Sequence, residues 1–85
     1  MTGPVRLTLY GREGCHLCEE ALAVIKALDP ELCVQVREVD IEAHDDLLAR
    51  YLERIPVVAH GEEEWFEFEV DPIRLEELVR DAASI

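Results

Sequence analysis

The sequence predicts an α/β protein whose elements run strand, helix, strand, helix, strand, strand, helix, with a small four-stranded mixed sheet flanked by helices. Three observations predict it. Apolar residues alternate at the start of the chain and then change to a helical period just after a pair of cysteines. A second strand-then-helix unit follows. A short apolar hairpin pattern and a helix opened by Asp71-Pro72 close the chain.

The first strand is Val5-Arg6-Leu7-Thr8-Leu9-Tyr10, with Val5, Leu7 and Leu9 on one face. Gly11 and Gly14 are expected to break it. From Cys15 to Leu28, steps of 100° gather Leu17, Cys18, Ala21, Leu22, Val24, Ile25 and Leu28 into one apolar arc. Pro30 disfavours helical geometry at Asp29, so this helix should end about there. Cys18 lies inside the arc and Cys15 at its edge. Cys15 is therefore expected to be the more exposed thiol, with His16 on the polar side.

Residues 33–40, CVQVREVD, form the second expected strand. Cys33 within it reads as a small buried hydrophobe. A strand, helix and strand in this order should be parallel and right-handed. Ala43 to Leu52 shows helical spacing. Arg54-Ile55-Pro56-Val57-Val58-Ala59 is an apolar strand opened by proline, a position strands tolerate. Gly61 turns the chain, and from Glu64 to Val70 the residues Phe66, Phe68 and Val70 alternate with Trp65, Glu67 and Glu69. That makes a hairpin with an acidic edge, which discourages pairing with other chains. Trp65 reads as a packed edge residue, and Glu62, Glu63 and Glu64 as a solvated turn. In the last helix Asp71 is the N-cap, Pro72 takes the first helical position, and Leu75, Leu78, Val79, Ala82 and Ala83 share a face.

The 85 residues predict a single domain over 1–85. Twenty acidic residues stand against eight basic ones, a formal charge of −12. Nucleic acid is excluded as a partner, because phosphate contacts need clustered Lys and Arg. Anionic membranes are disfavoured for the same reason, and no apolar run approaches the roughly 20 residues of a membrane helix. MTGPVRLTLYGR has no long apolar core of a signal peptide, so a soluble cytoplasmic protein is expected.

Chemistry concentrates in YGREGCHLCEEAL, residues 10–22. Three uses of its C-x-x-C compete. A structural zinc site needs about four ligands, usually two separated pairs. The chain offers one pair plus scattered Cys33, His44 and His60, so no resident metal is expected, although a cluster shared between two chains needs fewer ligands from each. A structural disulfide would close a tiny loop, constrain the unfolded chain little, and be reduced in a cytoplasm. Redox chemistry suits the position better. The first turn of a helix presents unpaired N–H groups and the positive end of the dipole, which lower a thiol pKa from about 8.5. Cys15 can attack a substrate disulfide, and Cys18, one turn on, can then resolve the mixed disulfide.

YGREGCHLC resembles the Tyr-x-[Lys/Arg]-x-x-Cys-x-x-Cys opening of glutaredoxins, and Arg54-Ile55-Pro56 resembles their Thr-Val-Pro segment. The element order is similar to the glutaredoxin type of thioredoxin-like fold from Val5 to about Ala83. CHLCEEA with a later ERIPVV resembles more closely a branch of small bacterial glutaredoxin-like proteins. The resemblance implies that Pro56 is cis and lies beside the cysteines, and that the Ile55 backbone pairs with an extended substrate such as glutathione. It also puts Arg12 near a glutathione carboxylate. Many members carry Gly-Gly and an Asp ahead of the last helix. Here the segment is EFEVDPIR: Asp71 remains and the glycines do not. His16-Leu17 replaces the family's Pro-Tyr, and Glu13, Glu19 and Glu20 crowd the thiols with like charge. His16 is either a cation that favours a thiolate or an exposed polar residue at a helix start.

The expectation is thus a thiol–disulfide oxidoreductase acting in redox homeostasis, with Cys15 and Cys18 catalytic and Arg12, His16, Leu17, Ile55, Pro56 and Asp71 binding substrate. It is expected to be a monomer with no bound cofactor. Its substrate would be a protein or low-molecular-weight disulfide, and its donor glutathione or a thioredoxin-reductase-type enzyme. The alternative is a metal or iron–sulfur carrier, or a non-catalytic adaptor, on the same fold.

Overall fold

The computed structural model describes residues 4–83. The strands are β1 (Val5–Gly11), β2 (Val34–Asp40), β3 (Val57–His60) and β4 (Glu63–Glu67), and the helices are α1 (His16–Lys26), α2 (Asp45–Tyr51) and α3 (Pro72–Ala83). They follow one another in the expected order. The sheet runs β2-β1-β3-β4, with β1 and β2 parallel and both other pairs antiparallel. The thioredoxin-like α/β architecture expected from the sequence is therefore present. Among the described residues, no helix is long and apolar enough to cross a membrane.

Alternation in β1 decides the layers. Val5, Leu7 and Leu9 pack with Ala21 and Ile25 of α1, Val58 of β3, and Leu75 and Val79 of α3. The opposite face meets α2: Ile41, Tyr51 and Val57 are buried there, with Tyr10, Leu47, Leu48 and Ile55 packed around them. Adjacent Val57 and Val58 serve opposite faces, as the pleat requires.

The helices are shorter than their apolar periods. Asp29 adopts extended backbone ahead of Pro30, as that proline demands, and its carboxylate accepts from Glu31 N–H to start a 3₁₀ turn, Pro30–Leu32. A second turn, Ile41–Ala43, is capped the same way by Asp40, so α2 begins at Asp45 rather than Ala43. Asp71 caps α3 as expected, its Oδ1 accepting from Ile73 N–H at 3.0 Å.

Three expectations are corrected. Cys33 is neither buried nor in a strand. It ends the first 3₁₀ turn in left-handed geometry, φ 54°, and its thiol is exposed, because the chain must reverse there to enter β2. Gly11 does not break β1; it is its last paired residue, opposite Asp40. The alternation in β4 fails at a bulge: Ala59 pairs with Glu64 and Val58 with Phe66, leaving Trp65 unpaired. Trp65 and Phe66 therefore both pack against the main core. Beyond the strand, Phe68 takes φ 68° and stands 47% exposed.

Candidate functional site

The two cysteines sit where β1 gives way to α1. A turn through Gly14, φ 79°, returns the chain so that Cys15 N–H donates to the Arg12 carbonyl at 3.3 Å. Cys15 is extended, φ −87°, ψ 107°, and is the N-cap of α1. Its Sγ accepts the Cys18 N–H at 3.2 Å, and its carbonyl accepts the Glu19 N–H at 3.1 Å. A sulfur thus occupies the acceptor position that Ser or Asp fills in an ordinary cap. The two residues are joined as a disulfide, with Cα atoms 5.2 Å apart. Cys18 is 7% exposed while Cys15 is half-buried, the order of accessibility expected from the helical projection.

Gly11 makes room for the inner sulfur. A Cβ at this position would lie 2.9 Å from Cys18 Sγ and 3.1 Å from Cys18 Cβ. The disulfide leaves that sulfur little freedom to retreat. Gly11→Ala is expected to destabilise the oxidised protein by about 1–3 kcal/mol, the usual cost of overpacking. Urea unfolding of oxidised wild type and variant checks it, and equal midpoints would refute it.

Pro56 is preceded by a cis peptide bond and is buried. Tyr10 pairs with Val57, so Pro56 stands one residue beyond that pair, at the end of the sheet from which the cysteine loop departs. Phe68 N–H donates to the carbonyls of Pro56, at 2.9 Å, and Arg54, at 3.3 Å, tying the segment before α3 to the proline loop. Ile55 is half-buried against Ile41, Tyr51 and Val57. Its N–H donates to the Tyr51 carbonyl at 3.1 Å. A substrate strand pairing with that N–H must displace this bond.

A polar network braces the same loop. Arg54 donates to Glu64 and, at 2.7 Å, to Glu67, while the Tyr51 hydroxyl donates to Glu64 at 3.1 Å. The Tyr51 ring stacks on Tyr10 with centroids 4.5 Å apart, and the Arg50 and Arg54 guanidiniums lie over it at 5.2 and 5.4 Å. Glu64 is therefore a bonded hub, where the sequence suggested a solvated turn. The Arg54 hydrogen bond holds the Glu64 carboxyl below its usual pKa, outweighing its partial desolvation. Burial first, and the bond to Glu64 second, raise the Tyr51 pKa. A depressed carboxyl contributes stability that is complete above its ordinary value of 4.5 and is lost as pH falls through the lower folded value. The stability gap between wild type and Glu64→Gln is thus expected to be widest at neutral pH and to close in acid. Chemical denaturation at a series of pH values from neutral to strongly acidic measures it, and a gap independent of pH would contradict this assignment.

Two of the predicted binding residues, Arg12 and Leu17, line separate hollows, and His16, Ile55, Pro56 and Asp71 line neither. Arg12 lines one of about 360 Å³ on the β2 side, with Gly11, Cys18, Glu19, Glu38 and Asp40. Leu17 lines another, of about 190 Å³, with Ala21, Val24, Phe68 and Val70, rimmed by Glu20 and Glu69. Asp71 follows Val70 but is engaged in capping α3. His16 is exposed, its Nε2 3.5 Å from Glu20. His60 packs on Trp65, ring centroids 5.0 Å apart, and His44 precedes α2. Among the described residues, no three His, Cys, Asp or Glu side chains come together as a metal-ligand set. Gly11, Arg54, Glu64 and Phe68 are the contributors not singled out from sequence. Gly11 had a signal, since glycine at a strand end just before a C-x-x-C marks close approach. Phe68 had none, because its left-handed backbone is set where the chain after β4 is bonded to the proline loop.

Comparison with known proteins agrees with this geometry. A family model described as "Glutaredoxin-like domain (DUF836)" matches residues 6–81. The chain is similar to a protein from Nitrosomonas europaea solved by NMR, at 29% identity and TM-score 0.77, covering 92% of this chain and 94% of that one. It is similar to an X. campestris protein solved by X-ray diffraction, at 32% identity and TM-score 0.67, covering 89% and 97%. A mutant thioredoxin from Halobacterium salinarum shares the fold at 20% identity and TM-score 0.65, covering 94% and 75%. No curated protein matches the chain.

Proposed function

The chain belongs to the glutaredoxin-like domain family, and from that membership we propose that it is a thiol–disulfide oxidoreductase in which Cys15 attacks and Cys18 resolves. The observation that carries the proposal is the cap: the outer sulfur accepts a backbone N–H at the start of α1, while the inner sulfur is buried one turn on. In the reduced protein a Cys15 thiolate in that place is favoured by the N–H and the helix dipole.

The electrons balance as follows. Cys15 thiolate attacks one sulfur of a substrate disulfide, forming a mixed disulfide and expelling the other sulfur as thiolate. Cys18, deprotonated, attacks Cys15 Sγ, closing the internal disulfide and releasing the second substrate sulfur as thiolate. Two electrons pass to substrate, and either one dithiol or two molecules of a monothiol return them by the reverse exchange, leaving the donor as its disulfide. Glutathione or a thioredoxin-reductase-type enzyme fits that donor role. Ile55 and Pro56 form the wall of the substrate groove, Arg12 and His16 modulate charge around the sulfurs, and Asp71 orders the start of α3. The chemistry suits the cytoplasm, where thiols are kept reduced, and needs only a monomer without a bound cofactor.

Titration in glutathione buffers, with alkylation and intact-mass readout, tests the proposal. One reversible two-electron couple at Cys15 and Cys18, between about −270 and −180 mV, is expected. Absence of a reversible couple, or iron or zinc held stoichiometrically by these thiols, would overturn it in favour of a carrier.

A further inference from the structure

The hollow between Leu17 and Phe68 has chemistry that the exchange reaction does not use. Leu17 stands between the two cysteines in sequence, so the hollow adjoins the first turn of α1 that carries them. The floor is Ala21, Val24 and Val70, and the two walls, Leu17 and Phe68, are 43% and 47% exposed. Covering them removes apolar surface from water. Phe68 is held in place, its N–H bonded to the Pro56 and Arg54 carbonyls. It is also held in left-handed backbone, φ 68°, a conformation that is costly for a bulky residue and free for glycine. A large ring kept exposed at that cost points to a use for the ring.

The charge of the hollow is one-sided. Its charged lining residues are Glu20 and Glu69, and among the described residues no Lys or Arg lines it. Arg12 lies on the other hollow, among Glu13, Glu19, Glu38 and Asp40. The whole chain carries a formal −12. Glutathione brings two carboxylates against one ammonium and would meet repulsion here. A segment with an apolar side chain and a Lys or Arg would meet attraction.

Building on the oxidoreductase proposal, we propose that this hollow docks a protein segment that places an apolar and a basic residue beside its disulfide cysteine, and that it selects such substrates over glutathione disulfide. The reduced protein then passes two electrons to that disulfide, forming its own Cys15–Cys18 bond and releasing two substrate thiols.

The test uses chemically reduced protein in single-turnover oxidation, so no donor enters. Matched peptide disulfides with Leu-Lys or Leu-Glu beside cysteine are compared with oxidised glutathione and with neutral hydroxyethyl disulfide. The Lys peptide is expected to react about tenfold faster than the Glu peptide at low salt, an advantage that shrinks as salt is added. Glu20→Gln with Glu69→Gln should bring the ratio to within about twofold, and Phe68→Gly should lower the rate of both peptides relative to hydroxyethyl disulfide. Misfolding would slow both peptides alike and leave their ratio intact, so the ratio reads the groove itself. Equal rates for the two peptides, an advantage that survives the charge variant, or glutathione disulfide as the fastest oxidant would overturn the docking proposal alone. Failure of every disulfide, the neutral one included, would overturn the oxidoreductase proposal and this one with it.

Discussion

Cys15→Ser is expected to abolish disulfide exchange, lowering the rate by at least about a thousandfold, because neither remaining cysteine is placed to take over its attack. Cys18 is 7% exposed and packed against Gly11, so it offers a substrate disulfide far less surface than Cys15 does. Cys33 is exposed, but it lies at the start of β2, at the end of the parallel β1–β2 pair away from Gly11 and the cysteine loop. The complementary variant behaves differently. Cys18→Ser keeps the attacking sulfur and its cap, but has nothing to displace the bound substrate. It is expected to accumulate a mixed disulfide on Cys15, seen as an added mass removable by reductant. A Cys15→Ser protein with wild-type turnover, or a Cys18→Ser protein that traps nothing, would reverse or dissolve the two roles.

The largest stability effect is expected at Leu75. This side chain is fully buried and joins α3 to Leu7, Leu9 and Val58 on the main face of the sheet. Leu75→Ala leaves a cavity that a sheet and two helices cannot easily close, at a cost of about 2–5 kcal/mol. A chain of 85 residues has only about 4–13 kcal/mol to lose. The urea midpoint should therefore fall by more than about 1 M, with the slope unchanged. Leu52→Ala, at a side chain 47% exposed beyond α2, should stay within about 0.5 kcal/mol of wild type. Comparable losses at both positions would show that the core is not where the structure puts it.

The elements were legible because their signals are local. Val5, Leu7 and Leu9 have the period of a strand, Asp71-Pro72 is a helix start, and both keep their identity in the folded chain. The different exposure of Cys15 and Cys18 follows from three residues of helix geometry, and needed no knowledge of the rest of the molecule. The misjudged positions are those at which distant segments meet. Glu64 has the composition of a solvated turn, yet Arg54 and Tyr51 reach it. Cys33 has the composition of a buried residue and the position of a turn.

Residue order alone thus determined the succession of strands and helices, the placing of a C-x-x-C at a helix start, and the acidic character of the surface. Each depends on spacing along the chain, or on composition, and spacing is printed in the sequence. Tertiary structure alone decided that Gly11 yields its side-chain space to Cys18, that Glu64 bridges Arg54 and Tyr51, and that Phe68 turns outward opposite Leu17. These depend on how distant segments meet; in the hairpin, one extra residue at Trp65 changes which side chains face each other across β3 and β4. No local pattern encodes that residue, because its effect is felt only when the second strand arrives beside the first.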